Sequence, residues 1–363
     1  MISNIEVWRY GNSLPHPVGG KVQTWQHRDG LLLRLITDRG EIGQGEASPL
    51  PGSSQETIDE VQFFLSAIST SWASDLLALG EVGSLLRAIA GSAVATLPSA
   101  RFAVETALLD LLGQRLQKPL WQLFDVTPPS RVALSQVLPA DDAQRALNVA
   151  EQAWGRGVYT FKVKIGSLGR WDEDLALLQT LRDRFGPQLQ LRLDANQEIE
   201  REQLEAKLQQ LAVFAPEYLE EPCPFPSLAG CGSLPVTLAL DDTLAVPGIY
   251  NQVISFMDQH PGTSLVLKPM KLGGFAACLD WAHLANQHGG SVSMSHLFDG
   301  PVALAACAQL AICLAGDQRA AGLTPHMGLQ AWPSCALPML GASAIVPSHG
   351  AGLGIGQLVP PAS

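Results

Sequence analysis

The chain is short of charge. Asp, Glu, Lys and Arg make up 16% of its 363 residues, too little for a disordered segment or a coiled coil. Bases are scarcer than acids, 23 against 34, for a net charge of −11. That balance argues against nucleic acid and anionic membrane as main partners. It leaves room for a small anionic substrate, since a few local cations or a metal reverse the sign inside a pocket. No run of about 18 uninterrupted apolar residues occurs, so no membrane span is expected. The opening Met1-Ile2-Ser3-Asn4-Ile5-Glu6 has neither a basic n-region nor an apolar h-region, which points to a cytoplasmic protein. The six cysteines (Cys223, Cys231, Cys278, Cys307, Cys313 and Cys335) form no C-x-x-C pair. They read as reduced, mostly buried thiols and speak against a zinc site.

What the chain does have is apolar content, 47%, and length enough to bury a sizeable core. Length suggests two domains, or one large barrel with an attachment. Residues 1 to about 50 read as antiparallel strands around the turn at Asp38-Arg39-Gly40, preceded by a Gly/Pro/His-rich loop at 15–21. Helical periodicity follows from Gln55 to about Ile68 and again from Ala100 to Leu116. Residues 1–125 are therefore read as a small α+β domain whose 15–30 loop is a mobile lid. From about 131, short apolar runs alternate with helix-like segments such as Trp171–Phe185 and Glu202–Phe214. The runs are 132–138, 159–165, 189–195, 217–221, 236–241, 264–268 and 291–295. Strand alternating with helix predicts an α/β architecture with a parallel sheet. Seven or eight units without a phosphate-binding first turn favour a closed barrel over 126–320. The irregular tail, 321–363, is expected to return to the first domain. Its Gly352-Leu353-Gly354-Ile355-Gly356 lacks the strand and helix that a nucleotide loop needs.

Lysine is rare, with seven in the whole chain, yet Lys162 and Lys164 lie one residue apart in Thr160-Phe161-Lys162-Val163-Lys164-Ile165. In a strand they emerge on one face while Phe161, Val163 and Ile165 take the other. Lys268 ends a similar run, Leu265-Val266-Leu267. The other runs also end in polar groups: Asp194, Glu220-Glu221, Asp241-Asp242 and Ser295-His296. From Lys164 the intervals to Asp194, Glu220, Asp241, Lys268 and Ser295 are 30, 26, 21, 27 and 27 residues, each about one βα unit. In a barrel all such strand ends meet at one rim, the usual place of an active site.

Asp194, Glu220 and Asp241 are therefore expected to converge. Three converging carboxylates repel unless a cation joins them, and oxygen ligands suit Mg²⁺, with Mn²⁺ a possible substitute. Lysines beside such a site suit proton transfer alpha to a carboxylate. Singly, each residue has a plainer reading: a strand-end Asp as a helix N-cap, a Glu as a rim charge, a lysine paired with a neighbour, as Lys207 and Lys271 are read. The joint pattern on consecutive units is what points to chemistry. Lys164, Lys268 and Lys162 are the catalytic candidates; Ser295, Arg192, Asn196 and His296 are the candidates for substrate binding.

These residues resemble the enolase superfamily, in its muconate lactonizing enzyme-like subgroup. The likeness runs through K-x-K at 162–164, D-x-N at 194–196, E-x-P at 220–222, Asp241-Asp242-Thr243, K-P-x-x-x-G-G at 268–274 and Gln44-Gly45-Glu46. It implies a modified TIM barrel, (β/α)7β, with an α+β capping domain, and a Mg²⁺ site at Asp194, Glu220 and Asp241. Within the subgroup the sequence is most similar to o-succinylbenzoate synthases, through Glu220-Glu221-Pro222-Cys223 and Ser48-Pro49-Leu50-Pro51-Gly52. That likeness implies a lyase of menaquinone or phylloquinone synthesis, monomeric or a small homo-oligomer. Lys164 would be its base and then its acid, Lys268 would stabilise the enediolate and Lys162 would tune Lys164. The same residues are compatible with an N-acylamino acid racemase or a cycloisomerase, and a barrel used only for binding is a third reading. The segment Gly322–Met327 lacks the D-x-D with which dipeptide epimerases hold a substrate amine, which counts against an epimerase.

Overall fold

The structure is a computed structural model describing residues 1–19, 24–139, 141–228, 230–314, 319–332 and 336–359. It begins with a three-stranded antiparallel sheet of β1 (Ile2–Gly19), β2 (Thr24–Thr37) and β3 (Ile42–Ala47). Leu31, Leu33 and Leu35 alternate along β2 and are fully or almost fully buried. Four helices cover the sheet: α1 (Ile58–Ser66), α2 (Thr70–Ala78), α3 (Val82–Ala90) and α4 (Pro98–Leu116). Thr57 and Glu60 form a reciprocal capping box at the start of α1. The helices α2 and α3, outside the two periodic stretches read from the sequence, complete this cap; α3 is amphipathic, with Leu85, Leu86 and Ile89 buried.

The loop expected at 15–21 is partly strand. β1 runs to Gly19, with Val18 opposite Trp25 and Gly19 opposite Thr24. The hairpin ladder overrides the turn-like composition, and Thr24–Gly30 belongs to β2. The remaining lid residues, Gly20 to Gln23, lie outside the described residues, as does Cys335.

β3 packs on α4 through Gly43 and Gly45. A Cβ on Gly45 would lie 1.9 Å from the Ala103 carbonyl oxygen, so the strand meets the helix backbone directly. Gly45→Ala is expected to destabilise the protein by about 1–3 kcal/mol or more, because neither backbone has room to move. A urea melt with an unchanged midpoint would refute this close packing.

After a short strand β4 (Val132–Ala133) come the barrel strands: β5 (Ser135–Leu138), β6 (Thr160–Lys164), β7 (Gln190–Asp194), β8 (Tyr218–Glu220), β9 (Leu238–Leu240), β10 (Ser264–Leu267) and β11 (Ser291–Met294). They are parallel neighbours in sequence order. Ala321 and Gly322 bridge Leu134 on one side and Ser295 on the other, and so close the ring. A boundary at 320/321 thus falls inside the closing segment. Outer helices are α5 (Ala143–Gly155), α6 (Trp171–Phe185), α7 (Leu204–Ala212), α8 (Tyr250–Gln259), α9 (Pro269–Leu272), α10 (Phe275–Gln287) and α11 (Pro301–Cys313). Between β8 and β9 the described residues contain only a 3₁₀ turn, Phe225–Leu228, which accounts for the shortest interval in the sequence.

The tail pairs as β12 (Ala344–Ile345) with β4 and then reaches the cap, where Leu353 N–H donates to Asp110 and Leu358 N–H to Gln44. Helix α11 is buried along its whole length between barrel and cap, which explains its alanine-rich, unpatterned sequence. No described helix is long and apolar enough to cross a membrane.

Candidate active site

Strand register sets the site. Lys164 lies beside Asp194, and Asp194 beside Glu220. Glu220 pairs with Ala239, which carries Asp241 to the same rim two residues on. Asp194, Glu220 and Asp241 are all buried. As the side chains stand, however, no three acidic, histidine or cysteine groups among the described residues close on a point that holds a metal. Ammonium groups lie among the carboxylates instead. Lys162 Nζ is 2.9 Å from Asp194 and 2.6 Å from Glu220, and Lys268 Nζ is paired with Asp241. The expectation of direct convergence is corrected to that extent: burial forces each carboxylate onto the nearest cation. The set still fits a hard dication by donor chemistry, and Glu220 Oε2 is buried without a partner among the described residues.

The charges sort themselves by surroundings. Burial drags on Lys162, but Asp194 and Glu220 hold it well above the ordinary lysine range. Burial raises Glu220 well above the usual carboxylate range, and the charge of Asp194 adds to it. Asp194 lies low: burial works against ionisation there, and Lys162 outweighs it. Lys164 differs from its neighbours. Burial lowers it, Asp194 opposes this only in part, and the charges of Lys162 and Lys268 push the same way as burial. Lys268 is raised; burial is outweighed by Asp241 and Asp242.

Backbone detail holds the acids in place. Asn196, at φ +45°, donates its side-chain amide to Asp194 at 2.7 Å and its backbone N–H to the same oxygen at 3.1 Å. Asn196 therefore orients an acid, whatever else it touches. Glu221, at φ +42°, turns away from Glu220 and accepts from the N–H groups of Asp241 and Thr243 at 2.8 and 2.9 Å. The Glu-Glu pair thus splits into one acid of the rim and one brace for the next strand's loop. After Lys268, Gly274 leaves space for a cap residue: Glu105 Oε2 accepts from Phe275 N–H at 2.6 Å, where a Cβ would sit 2.4 Å away.

Two substrate-binding candidates lie at the mouth. Ser295 bridges to Gly322, and His296 accepts from Phe298 N–H at 2.9 Å. The His296 ring stacks on His326, 5.1 Å between centroids. Burial first, then His326 and Lys268, hold His296 well below the usual histidine range; burial takes His326 to about 4. Arg192 does not join them. It lies one layer below the carboxylates, 1% exposed, bound to Glu217 at 2.7 Å, Ser293 at 3.0 Å and the Ala320 carbonyl at 2.6 Å. The substrate-binding assignment of Arg192 is thereby corrected: its alternation with Asp194 puts it on the inner face but too deep.

Sequence reading missed His326 and Arg28. Arg28 comes from the cap, is buried, and donates to the carbonyls of Leu297 (3.0 Å), Pro49 (3.1 Å) and Ser48, with Asp299 at 3.5 Å. It ties β2 and the Ser48–Pro49 loop to the segment after β11. Nothing in the local pattern His27-Arg28-Asp29 signals this: apart from the Asp29 carbonyl at 3.0 Å, the partners lie outside the local sequence. Lys271, read as a paired lysine, donates to Asp242 at 2.6 Å and to Ser53 of the cap at 3.1 Å.

Comparison with known proteins agrees with this architecture. The profile of a family described as "Enolase C-terminal domain-like" matches residues 145–356, and that of "MenC, N-terminal domain" matches residues 2–111. The o-succinylbenzoate synthase of Desulfotalea psychrophila is 28% identical over 304 residues, covering 77% of this chain and 81% of its own. The L-Lys-D/L-Arg epimerase of Desulforapulum autotrophicum is 29% identical over 290 residues, covering 78% and 79%. Among solved structures, a dipeptide epimerase from Methylococcus capsulatus complexed with Mg and the dipeptide L-Arg-D-Lys superposes with a TM-score of 0.82 at 21% identity, covering 97% and 98%. The muconate lactonizing enzyme from Pseudomonas fluorescens complexed with muconolactone gives 0.80 at 21% identity, covering 99% and 96%. Fold, strand-end residues and family profiles agree: the chain belongs to the enolase superfamily, in its muconate lactonizing enzyme-like subgroup.

Proposed function

We propose that this chain is a Mg²⁺-dependent lyase of the o-succinylbenzoate synthase type, with Mn²⁺ as a possible substitute. It removes the proton alpha to a substrate carboxylate and expels water, giving 2-succinylbenzoate for menaquinone or phylloquinone synthesis. The observation that carries this reading is the contrast between Lys164 and its neighbours. Lys162 and Lys268 are locked on carboxylates, whereas Lys164 is half-buried, lowered and, among the described residues, free of any such pair. Asp194, Glu220 and Asp241 would hold the cation, which supplies positive charge opposite the charge that develops on the substrate carboxylate. Lys164 takes the alpha proton and afterwards returns one to the departing hydroxyl, so that one water leaves for each substrate consumed. Lys268, across the site, provides a second positive charge facing the enediolate.

Preference for the lyase over an epimerase rests on the wall formed by Gly322–Met327. An amine-bearing substrate needs a carboxylate opposite its ammonium, and this segment contains no acid. Thr324 donates to the Ser135 carbonyl at 2.7 Å and His326 bonds the Asp299 carbonyl at 2.7 Å. The match to the MenC N-terminal domain supports the same choice. The epimerase relatives keep a second reading in play, a racemase using Lys164 and Lys268 on opposite faces.

Incubation with Mg²⁺ and the hydroxycyclohexadiene carboxylate precursor is expected to bleach the diene absorbance. Exchange of the alpha proton of N-acyl amino acids or dipeptides in D₂O, without bleaching, would establish the racemase instead. Asp194→Asn is expected to remove Mg²⁺ binding in titration calorimetry with the circular dichroism spectrum unchanged. Affinity equal to the wild type would remove Asp194 from the ligand set.

A further inference from the structure

Among the described residues, two buried polar atoms of the barrel lack partners, one on a guanidinium and one on a carboxyl group. Among the described residues, Arg192 Nη2 and Glu220 Oε2 are shielded from solvent and make no hydrogen bond. They sit on adjacent strands: Arg192 is in register with Tyr218, and Glu220 lies two residues farther along β8 on the same face. Each group is pinned along one edge. The guanidinium is bound through Nε and Nη1 to Glu217, Ser293 and Ala320. The carboxylate accepts from Lys162 through Oε1 at 2.6 Å. Both side chains lie on the inner face of the barrel, Arg192 one layer below Glu220, beside a shared neighbour: the Arg192 Cζ is 5.1 Å from the centre of the Tyr218 ring.

No direct Arg192–Glu220 ion pair forms within 4.0 Å, although many other pairs in the molecule do. Leaving both edges dry is costly, because a stranded buried charge loses its hydration without compensation. Natural interiors resolve such gaps with water, which needs two to four polar partners. We propose that the barrel holds a structural water between Arg192 Nη2 and Glu220 Oε2, with the Tyr218 hydroxyl as its third partner. Arg192 is then a positioning residue: through this water it fixes the outer oxygen of Glu220. That last step rests on the reading of Glu220 as a cation ligand; the water itself does not.

The first test is a high-resolution crystal structure of the metal-free protein. A peak within hydrogen-bond distance of both atoms is expected. An empty gap, or a direct Arg192–Glu220 bond, overturns the proposal. The second test is Arg192→Met, which removes the guanidinium and keeps the unbranched apolar stem. Glu217 retains Arg319 at 3.2 Å, so the variant strands no buried carboxylate. The Mg²⁺ dissociation constant is expected to rise about tenfold, the usual cost of removing an outer partner of a metal ligand. A change under twofold, at matched folding, rules out the positioning role. Should that variant fail to fold, Tyr218→Phe deletes only the hydroxyl. It is expected to weaken Mg²⁺ binding about threefold and to displace the water; an undisturbed water with wild-type affinity removes Tyr218 and the relay with it. Wild-type protein that binds no Mg²⁺ would sink the functional reading alone, since the metal-free density decides the water.

Discussion

Lys164→Ala is expected to lower turnover about 10⁴-fold while leaving the protein folded and at least as heat-stable as the wild type. The size of the kinetic loss follows from the two jobs proposed for one amine. It takes the alpha proton and it returns a proton to the leaving hydroxyl, so no other group is left to share either step. The stability half follows from packing. Lys164 is half-buried near two other ammonium groups, and Asp194 compensates it only in part. Deleting a poorly compensated, half-buried cation relieves a desolvation cost and does not break an ion pair. Lys162→Ala should behave in the opposite way. Its loss strands Asp194 and Glu220, both buried, and is expected to cost about 3–5 kcal/mol in metal-free protein. Added Mg²⁺ should recover part of that, since a cation then replaces the ammonium. Steady-state kinetics and thermal melts of the two variants, each with and without Mg²⁺, make the comparison. Full activity of Lys164→Ala would remove Lys164 from the mechanism; a Lys162→Ala variant as stable as the wild type would show that the two acids are not charged together.

How much of this was legible beforehand depends on the range of the interaction. The seven apolar runs all became barrel strands, because a fully buried parallel strand writes itself as a short block of Leu, Val and Ile. The rim residues were legible for the same reason, since each sits one step past such a block. Strand polarity separated Lys162 and Lys164 from Phe161 and Val163 correctly but said nothing of depth, and so Arg192 was read as a mouth residue when it lies a layer below. The 15–21 stretch was misread as loop throughout because Pro and Gly signal turns only where no partner strand competes, and β2 competes as far as Thr24. Helix α11 and the clamps made by Arg28, Glu46 and Glu105 bind residues more than 150 positions away, as in Glu105 to Phe275 and Glu46 to Gly300. No local period encodes contacts of that reach.

Glu46 provides the second large effect, and its sign reverses the usual expectation for a carboxylate that caps a helix. Its oxygens accept from Gly300 N–H at 2.5 Å, from Val302 and Ala303 N–H at 3.1 Å each, and from the Tyr10 hydroxyl at 2.6 Å. A cap strand thereby fastens the start of α11, just past the loop that carries His296 and Asp299. Glu46→Ala orphans these donors and is expected to cost about 3–5 kcal/mol in acid. The charge is another matter. Burial, opposed chiefly by the Tyr10 hydrogen bond and reinforced by Asp299, raises Glu46 from 4.5 to about 7. Arg28 and Cys307 complete the titratable surroundings. The folded state therefore keeps the Glu46 proton at pH values where the unfolded chain has lost it. The stability from this group is complete below pH 4.5, falls as pH rises from 4.5 to 7, and is flat above; the difference corresponds to about 3 kcal/mol. Glu105 and Asp110, likewise raised to about 7 and about 6, are present in both proteins and cancel in the comparison. Urea melts of wild type and Glu46→Ala at pH 5, 6, 7 and 8 should show the advantage of the wild type shrinking toward alkaline pH. An advantage that grew with pH would mean that the dipole of α11 and its N–H groups stabilise the anion by more than burial penalises it, and would overturn the assignment of Glu46 as a protonated clamp in acid.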